Sequence, residues 1–143
     1  MHRPDLFRQM TADGWTVIED DGFIGLVGPF LMRGSFPDLQ FAFITDHRHR
    51  NLRGVLQGGA LMTFADRVLG LTARAGTQST RTATVQMDTH FIDAVHIGTL
   101  LEARPRLLRA TSQLMFMTTD LTLDGKLVAT ANGVWKKLAP AKS

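Results

Sequence analysis

The chain contains no cysteine, which removes disulfides, a catalytic thiol and every thiolate metal site from consideration. It has no tyrosine either, and no apolar run approaches the roughly 18 residues that a membrane span requires. The first fifteen residues are polar and charged and lack the apolar centre of a secretory signal. A cytoplasmic protein without a membrane partner is therefore the expectation. No basic stripe interleaved with aromatics runs through the sequence, which counts against single-stranded nucleic acid as a partner. The isoelectric point near 10.0 does not reverse this, because the net charge is only +3. With neither Tyr nor Cys to titrate above neutrality, a small excess of Lys and Arg carries the isoelectric point far upward. A modest positive balance still suits small anionic ligands.

What is present is 143 residues of ordinary globular composition, 44% hydrophobic and 20% charged, enough for one domain with its own core over residues 1–143. Within it, residues 1–14 predict an N-terminal helix and 139–143 a loose tail. The helical pattern is clearest over PDLFRQMTAD, where Leu6, Phe7 and Met10 share a side and Asp13-Gly14 ends the helix. Asp20-Asp21-Gly22 is a turn signal. FIGLVGPFLMRG after it reads as a strand interrupted by Gly25 and Gly28, with Pro29 at an edge or bulge. LQFAFIT reads as a second strand with Leu39, Phe41 and Phe43 on one face.

The most informative stretch is NLRGVLQGGALMTFADRVLG, from Asn51 to Gly70. It joins a basic loop (DHRHRN) to a helix predicted from about Gln57 to Ala75, with Gly76 as its C-cap. Leu61, Met62, Phe64, Ala65, Val68 and Leu69 leave this helix no wide polar face, and a helix apolar all round is normally buried. It nevertheless carries one carboxylate, Asp66, and a buried acid is expensive unless something pairs with it or uses it. The second half reads as four strands. RTATVQMDTHFI alternates Ala83, Val85, Met87 against Thr82, Thr84, Gln86; TLLEARPRLLRAT has Pro105 at a bulge or edge; SQLMFMTTDLTL closes on Asp124-Gly125, a hairpin signal; KLVATANGVWKKL is last. One long helix among strands predicts an α+β fold, a curled antiparallel sheet wrapped around that central helix, which is the hotdog arrangement.

Helix geometry constrains the chemistry. The unpaired N–H groups around Gly58-Gly59 face out of the helix start, where they suit a phosphate or the oxyanion of an attacked thioester. Asp66 lies about 12 Å further along the axis at 1.5 Å per residue. One copy of the helix cannot bring both to one carbonyl. Two copies running antiparallel about a two-fold axis can, which predicts a site shared between subunits.

Asn51-x-x-Gly54-x-x-Gln57-Gly58-Gly59, with Asp66 on the helix that follows and a strand containing Thr84 after it, resembles the PaaI-type hotdog acyl-CoA thioesterases. The resemblance implies a hydrolase of small or medium acyl- or aryl-CoA thioesters that needs no cofactor or metal and forms a homodimer or a dimer of dimers. It implies Asp66 as catalytic base or nucleophile, the Gly58 N–H as oxyanion donor, and Asn51 as the residue that fixes the loop and orients water or thioester. Thr84 would bond the attacking water, and Gly59 and Met62 would border the substrate. One departure stands out: the family typically has histidine where this chain has Gln57, which can orient a group but cannot transfer a proton near neutrality.

Plainer readings exist for each residue. Asp66 beside Arg67 is also what a solvated ion pair looks like, Gly58-Gly59 a turn, Asn51 a turn cap, and Thr84 an ordinary strand residue. His47, His49, His90 and His96 lack metal-ligand spacing. Arg104, Arg106, Arg109, Lys126, Lys136 and Lys137 read as solvated charges, some of which could meet coenzyme A phosphates. Two other activities fit the same fold: a non-catalytic acyl-CoA-binding domain, prompted by Gln57, and an enoyl-CoA hydratase or dehydratase, for which His90 is the only histidine on the strand of Thr84.

Overall fold

The computed structural model describes residues 3–140. In chain order the elements are α1 (Arg3–Ala12), β1 (Thr16–Val17), α2 (Phe23–Val27), β2 (Phe30–Arg33), β3 (Gln40–Ile44), a 3-10 turn (His47–His49), α3 (Gly58–Thr77), β4 (Thr82–Phe91), β5 (Leu100–Ala103), β6 (Arg106–Ala110), β7 (Leu114–Leu123) and β8 (Lys126–Lys137). The strands form one antiparallel sheet ordered β1-β2-β3-β5-β7-β8-β4, with β6 pairing to β7 beside β5. The sheet does not close, so β4 stands at one edge and the two-residue β1 at the other. No helix among the described residues is long and apolar enough to cross a membrane. The last residues of the expected tail, 141–143, lie outside the described residues, as do residues 1–2.

The core sits between the concave sheet face and α3. Strand alternation sorts the side chains: Phe41 and Phe43 point to α3, while Ala42 and Ile44 point to the opposite face. On the α3 side, Phe30, Phe43 and Phe64 meet edge-on or tilted, with ring centroids 4.8–5.6 Å apart. On the other side α1 covers β2 and β3 through Met10, with Leu6 and Phe7 partly buried. Each fully buried Phe or Leu contributes roughly 1.5–3 kcal/mol. Leu61, Phe64, Ala65, Val68, Leu69, Thr72 and Ala73 of α3 are buried, which fixes the helix along its whole length.

Four expectations need correction. FIGLVGPFLMRG is not one strand: Phe23–Val27 is a short helix, and only Phe30–Arg33 is extended. The helix starts where Asp20 Oδ1 accepts the Gly22 N–H at 2.7 Å. Gly25 then presses on that turn so closely that an added Cβ would lie 2.1 Å from the Asp20 carbonyl oxygen. The glycine read as a strand interruption is a helix-to-turn contact. Second, Gly76 lies inside α3, and Gln78, at φ 53, caps the helix. Gly76 is instead a packing position, where a Cβ would come within 2.6 Å of the Phe36 ring. Third, TLLEARPRLLRAT is two strands, broken at Arg104-Pro105. Fourth, the alternation along β4 is interrupted by a bulge between Thr84 and Gln86 that throws Val85 outward, 58% exposed.

The Asp124-Gly125 hairpin is as expected. Both residues have positive φ (48° and 79°), joining Leu123 and Lys126 in a two-residue turn of the primed type.

The bulge in β4 depends on Gly133 of β8. A Cβ there would lie 2.1 Å from the Gln86 carbonyl oxygen and 2.9 Å from the Met87 Cα, both backbone atoms that cannot rotate away. Gly133→Ala is expected to force β4 off the sheet and lower unfolding free energy by about 2 kcal/mol. Urea denaturation measures the loss, and hydrogen exchange should place it in β4.

Candidate active site

Strand pairing shows which β4 side chains face the helix. Thr84 lies opposite Trp135, Thr89 opposite Ala131 and Phe91 opposite Ala129, and those three β8 residues are all in the core beneath α3. Thr84, Thr89 and Phe91 therefore line the α3 side of the strand. The two elements run antiparallel. Near one end the Thr84 hydroxyl donates to Asp66 Oδ1 at 2.6 Å. Near the other, the Phe91 ring packs on Gly58, where a Cβ would sit 3.3 Å from the ring. Met62, 38% exposed, lies on α3 midway between them.

Asp66 is half-buried, and among the described residues no ion pair joins it to Arg67. The solvated ion-pair reading of that dipeptide therefore fails. Arg67 holds its own guanidinium partly inside the protein, its Nε buried without a partner, and Thr89 Oγ1 is likewise buried and unpaired. These two atoms are unsatisfied polar groups close to the α3–β4 groove.

The loop before α3 is held by Asn51. Its Oδ1 accepts the N–H groups of Arg53 (2.9 Å) and Val55 (3.3 Å), and its own N–H donates to the Val55 carbonyl at 2.7 Å. Asn51 is a loop cap in this protomer, with Gly54 at φ 83° completing the turn. Gln57 is the N-cap of α3. Its Oε1 accepts the Gly58 N–H at 3.2 Å, and its backbone N–H donates to the His49 carbonyl at 2.8 Å. The amide expected to serve as oxyanion donor thus already has a local acceptor, on an exposed side chain that must swing aside for any ligand. Gly59 is exposed, and a Cβ there would meet nothing nearer than the Gln57 Cγ at 4.0 Å.

His49 is buried. Its Nδ1 accepts the Asp46 N–H at 2.9 Å, its Nε2 faces the Val27 carbonyl, and its ring stacks edge-on against Phe43. It ties the basic loop to α2. His90 faces the opposite side of β4 from Thr89 and Phe91, away from Asp66. The histidine that a hydratase would pair with an acid is therefore on the wrong face.

Three depressions meet at Gln57. An apolar cleft of about 530 Å³ runs between α2 and the first turn of α3, walled by Phe23, Leu26, Val27, Ala60 and Thr63. A basic groove of about 720 Å³ lies along residues 47–53. The third, about 430 Å³, lies between Gly58 and residues 91–95. Asp93 at its rim is held below the usual carboxylate range by its hydrogen bond to Lys126, with help from the Ala94 N–H. The α2 wall escaped the sequence reading because its segment was taken as a strand; the i, i+3, i+4 spacing of Phe23, Leu26 and Val27 was the available signal.

Of the predicted site residues, Asp66 and Thr84 are in direct contact, and Asn51, Gln57, Gly58 and Gly59 cluster at the helix start. The two groups are not joined within one protomer, since eight residues of helix hold Gly58 and Asp66 about 12 Å apart. Removing the Asn51 side chain should leave the Arg53 and Val55 N–H groups to solvent. Asn51→Ala is expected to destabilise the chain by about 1 kcal/mol, with faster amide exchange at those two positions, readable by thermal denaturation and NMR.

Residues 53–129 match the family model described as the thioesterase superfamily. A Pseudomonas aeruginosa protein provisionally named esterase PA0474 is 31% identical over 116 residues, covering 78% of this chain and 85% of its own. Zebrafish thioesterase superfamily member 2 superposes with TM-score 0.76 at 22% identity, over 94% of both chains. A mutant structure of the phenylacetic acid degradation protein PaaI from Thermus thermophilus superposes with TM-score 0.74 at 21% identity, over 82% of this chain and 100% of that one. The fold is the hotdog fold, an antiparallel sheet curled around one long helix.

Proposed function

The chain belongs to the thioesterase superfamily, and from that membership we propose that it is an acyl-CoA thioesterase. It hydrolyses a small or medium acyl- or aryl-CoA ester to the free acid and coenzyme A. The observation that carries this reading is the 2.6 Å hydrogen bond from Thr84 to Asp66 beside a sheet edge that, among the described residues, no further strand pairs with. A half-buried carboxylate oriented through one oxygen is what a general base or a carboxylate nucleophile needs. Because Thr84 spends its proton on Asp66, its own lone pairs are left to accept from a water.

Water adds to the thioester carbonyl as Asp66 takes its proton, the carbonyl oxygen becomes an oxyanion, and collapse expels the thiolate, which is reprotonated. Alternatively the Asp66 carboxylate adds first and the C–S bond breaks, releasing the thiolate to be protonated and leaving a mixed anhydride that water then cleaves to the free acid and the Asp66 carboxylate. Either way the oxyanion lies at the Gly58 N–H of the partner protomer once the Gln57 side chain has moved off it. Water is the only second reactant, so the reaction requires no redox group or metal. The α2–α3 cleft, beside Gln57 and Gly59, has the size and apolar lining for a small or medium acyl group.

A two-fold axis fits the geometry. If Gly58 is to face the partner's Asp66, the axis must pass near Met62 on α3. If Phe91 is to face the partner's Thr84, it must pass near Asp88 on β4, since the bulge after Thr84 takes one residue out of the register. Both midpoints lie in the same groove. A ten-residue edge strand with exposed Val85 and Phe91, next to a half-exposed Met62, is the apolar, unpaired surface such a dimer would bury.

Asp66→Asn is expected to lower kcat for acyl-CoA hydrolysis by about a hundredfold or more with the fold intact, and Thr84→Val by about tenfold. Thiol release over a panel of aryl, short and medium acyl-CoAs measures both, and full turnover by Asp66→Asn refutes the mechanism. Hybrid dimers test the shared site. A protomer carrying Asp66→Asn paired with one carrying Gly58→Pro should recover about half of wild-type activity, since one composite site keeps both groups, whereas sites built within single protomers would both be dead.

Gln57 favours one second reading, a domain that binds acyl-CoA without cleaving it. It stands where the family has histidine and holds the very amide the oxyanion needs. Calorimetric binding of an acyl-CoA with no thiol release would select that reading.

A further inference from the structure

We propose that the groove along residues 47–53 is the site that grips the phosphorylated end of the thiol carrier, through Arg50 and Arg53. The proposal rests on the thioesterase reading above and assigns which surface of the protein recognises the nucleotide of coenzyme A. The groove is lined by Arg48, Arg50, Asn51, Leu52, Arg53 and Gln57, among others, so it opens directly onto the cap of α3.

The three guanidinium groups are not equivalent. Arg48 is structural: it bonds Asp46 through Nε and the carbonyls of Leu26 and Gly28 through its terminal nitrogens. It thereby anchors the loop to α2 and uses the carboxylate in this loop. Arg50 is exposed and oriented by the His47 carbonyl, a neutral acceptor that leaves its charge uncompensated. Arg53 is exposed, and its backbone N–H is fixed by Asn51. Among the described residues neither Arg50 nor Arg53 has a carboxylate partner. Two uncompensated guanidiniums on a loop pinned by Asn51 and Arg48 make a preorganised anion site, and guanidinium matches phosphate geometry in bidentate fashion.

The position suits the carrier. The apolar cleft and the basic groove adjoin along Arg48, Arg50 and Gln57, so a thioester at Gln57 and Gly58 can seat its acyl part against Phe23, Leu26 and Ala60 and its thiol part along Arg50 and Arg53. Leu52, wholly exposed at the groove lip, offers an apolar surface to a purine ring. Arg104 and Arg106, at the β5–β6 junction, line separate depressions that do not include Gln57.

The test compares acyl-CoA with the acyl-pantetheine thioester of the same acid, which lacks the nucleotide and both diphosphate and 3′-phosphate groups. Wild type should show kcat/KM for acyl-CoA at least about tenfold above acyl-pantetheine, with KM for acyl-CoA rising as salt is added. The double variant Arg50→Ala/Arg53→Ala should bring that ratio close to one, and Arg53→Glu alone should lower it. Calorimetry supplies a second arm that needs no turnover: 3′,5′-ADP should bind wild type and lose about tenfold or more in affinity in the double variant. An unchanged substrate ratio together with unchanged 3′,5′-ADP binding overturns the proposal. If neither thioester is cleaved but 3′,5′-ADP binds through the arginines, the hydrolase reading falls and the groove assignment stands. If both thioesters are cleaved equally well by wild type, the hydrolase stands and the groove assignment falls.

Discussion

The packing of α3 into the concave face of the sheet sets the distances in the site. Phe64, wedged among Phe30 and Phe43, and the buried run of Leu61, Ala65, Val68 and Leu69 hold the helix against four strands at once. A helix buried to that extent cannot bend to bring its own parts together. Its amide-rich start and its single carboxylate therefore stay about 12 Å apart. What the packing does provide is registry with β4, so that each end of the same groove carries one half of the candidate site: Thr84 with Asp66 at one, Phe91 against Gly58 at the other.

Much of this was legible in the sequence because it follows local rules. The presence and start of α3 could be read from its nearly all-round apolar character, the β7–β8 turn from Asp124-Gly125, and the common face of Phe41 and Phe43 from strand alternation. The resemblance implies Thr84 as the residue that bonds the attacking water, and in the structure its hydroxyl donates to Asp66 Oδ1. The misread glycines share a different cause. Gly25 looks like a strand interruption and Gly76 like a helix end in sequence, yet each marks a place where backbone or ring comes too close for a Cβ. Nothing local distinguishes a glycine that breaks an element from one that admits a neighbour. The bulge that turns Val85 outward is equally invisible locally, whereas α2 does carry a local mark in the i, i+3, i+4 spacing of Phe23, Leu26 and Val27.

The loop before α3 shows how a single polar residue can serve structure and site together. Asn51 spends its carbonyl oxygen on the loop's own N–H groups, which is the plainer of its two readings. Yet by fixing that loop it also fixes Arg53 and the approach to Gln57. The structural role and the proposed functional one would then be the same set of hydrogen bonds viewed from two sides. Gln57 differs. In capping Gly58 it occupies the position an anionic ligand would take, so helix stability and ligand binding compete for one N–H.

The unpaired edge of β4 ties these points together. Ten residues of exposed strand backbone are an open invitation to further pairing, and proteins cover or break such edges. Here the strand is long, and the one bulge lies near its start, leaving Met87 to Phe91 regular and available. Pairing with a second copy about a two-fold axis through that segment would satisfy the backbone, cover Phe91 and Met62, and set the two α3 helices antiparallel. The same rotation carries the Asp66 of one protomer toward the Gly58 of the other. On the proposed two-fold, protecting the edge and completing the site would be a single event, and a protomer that failed to assemble would lack both a finished sheet and a finished site.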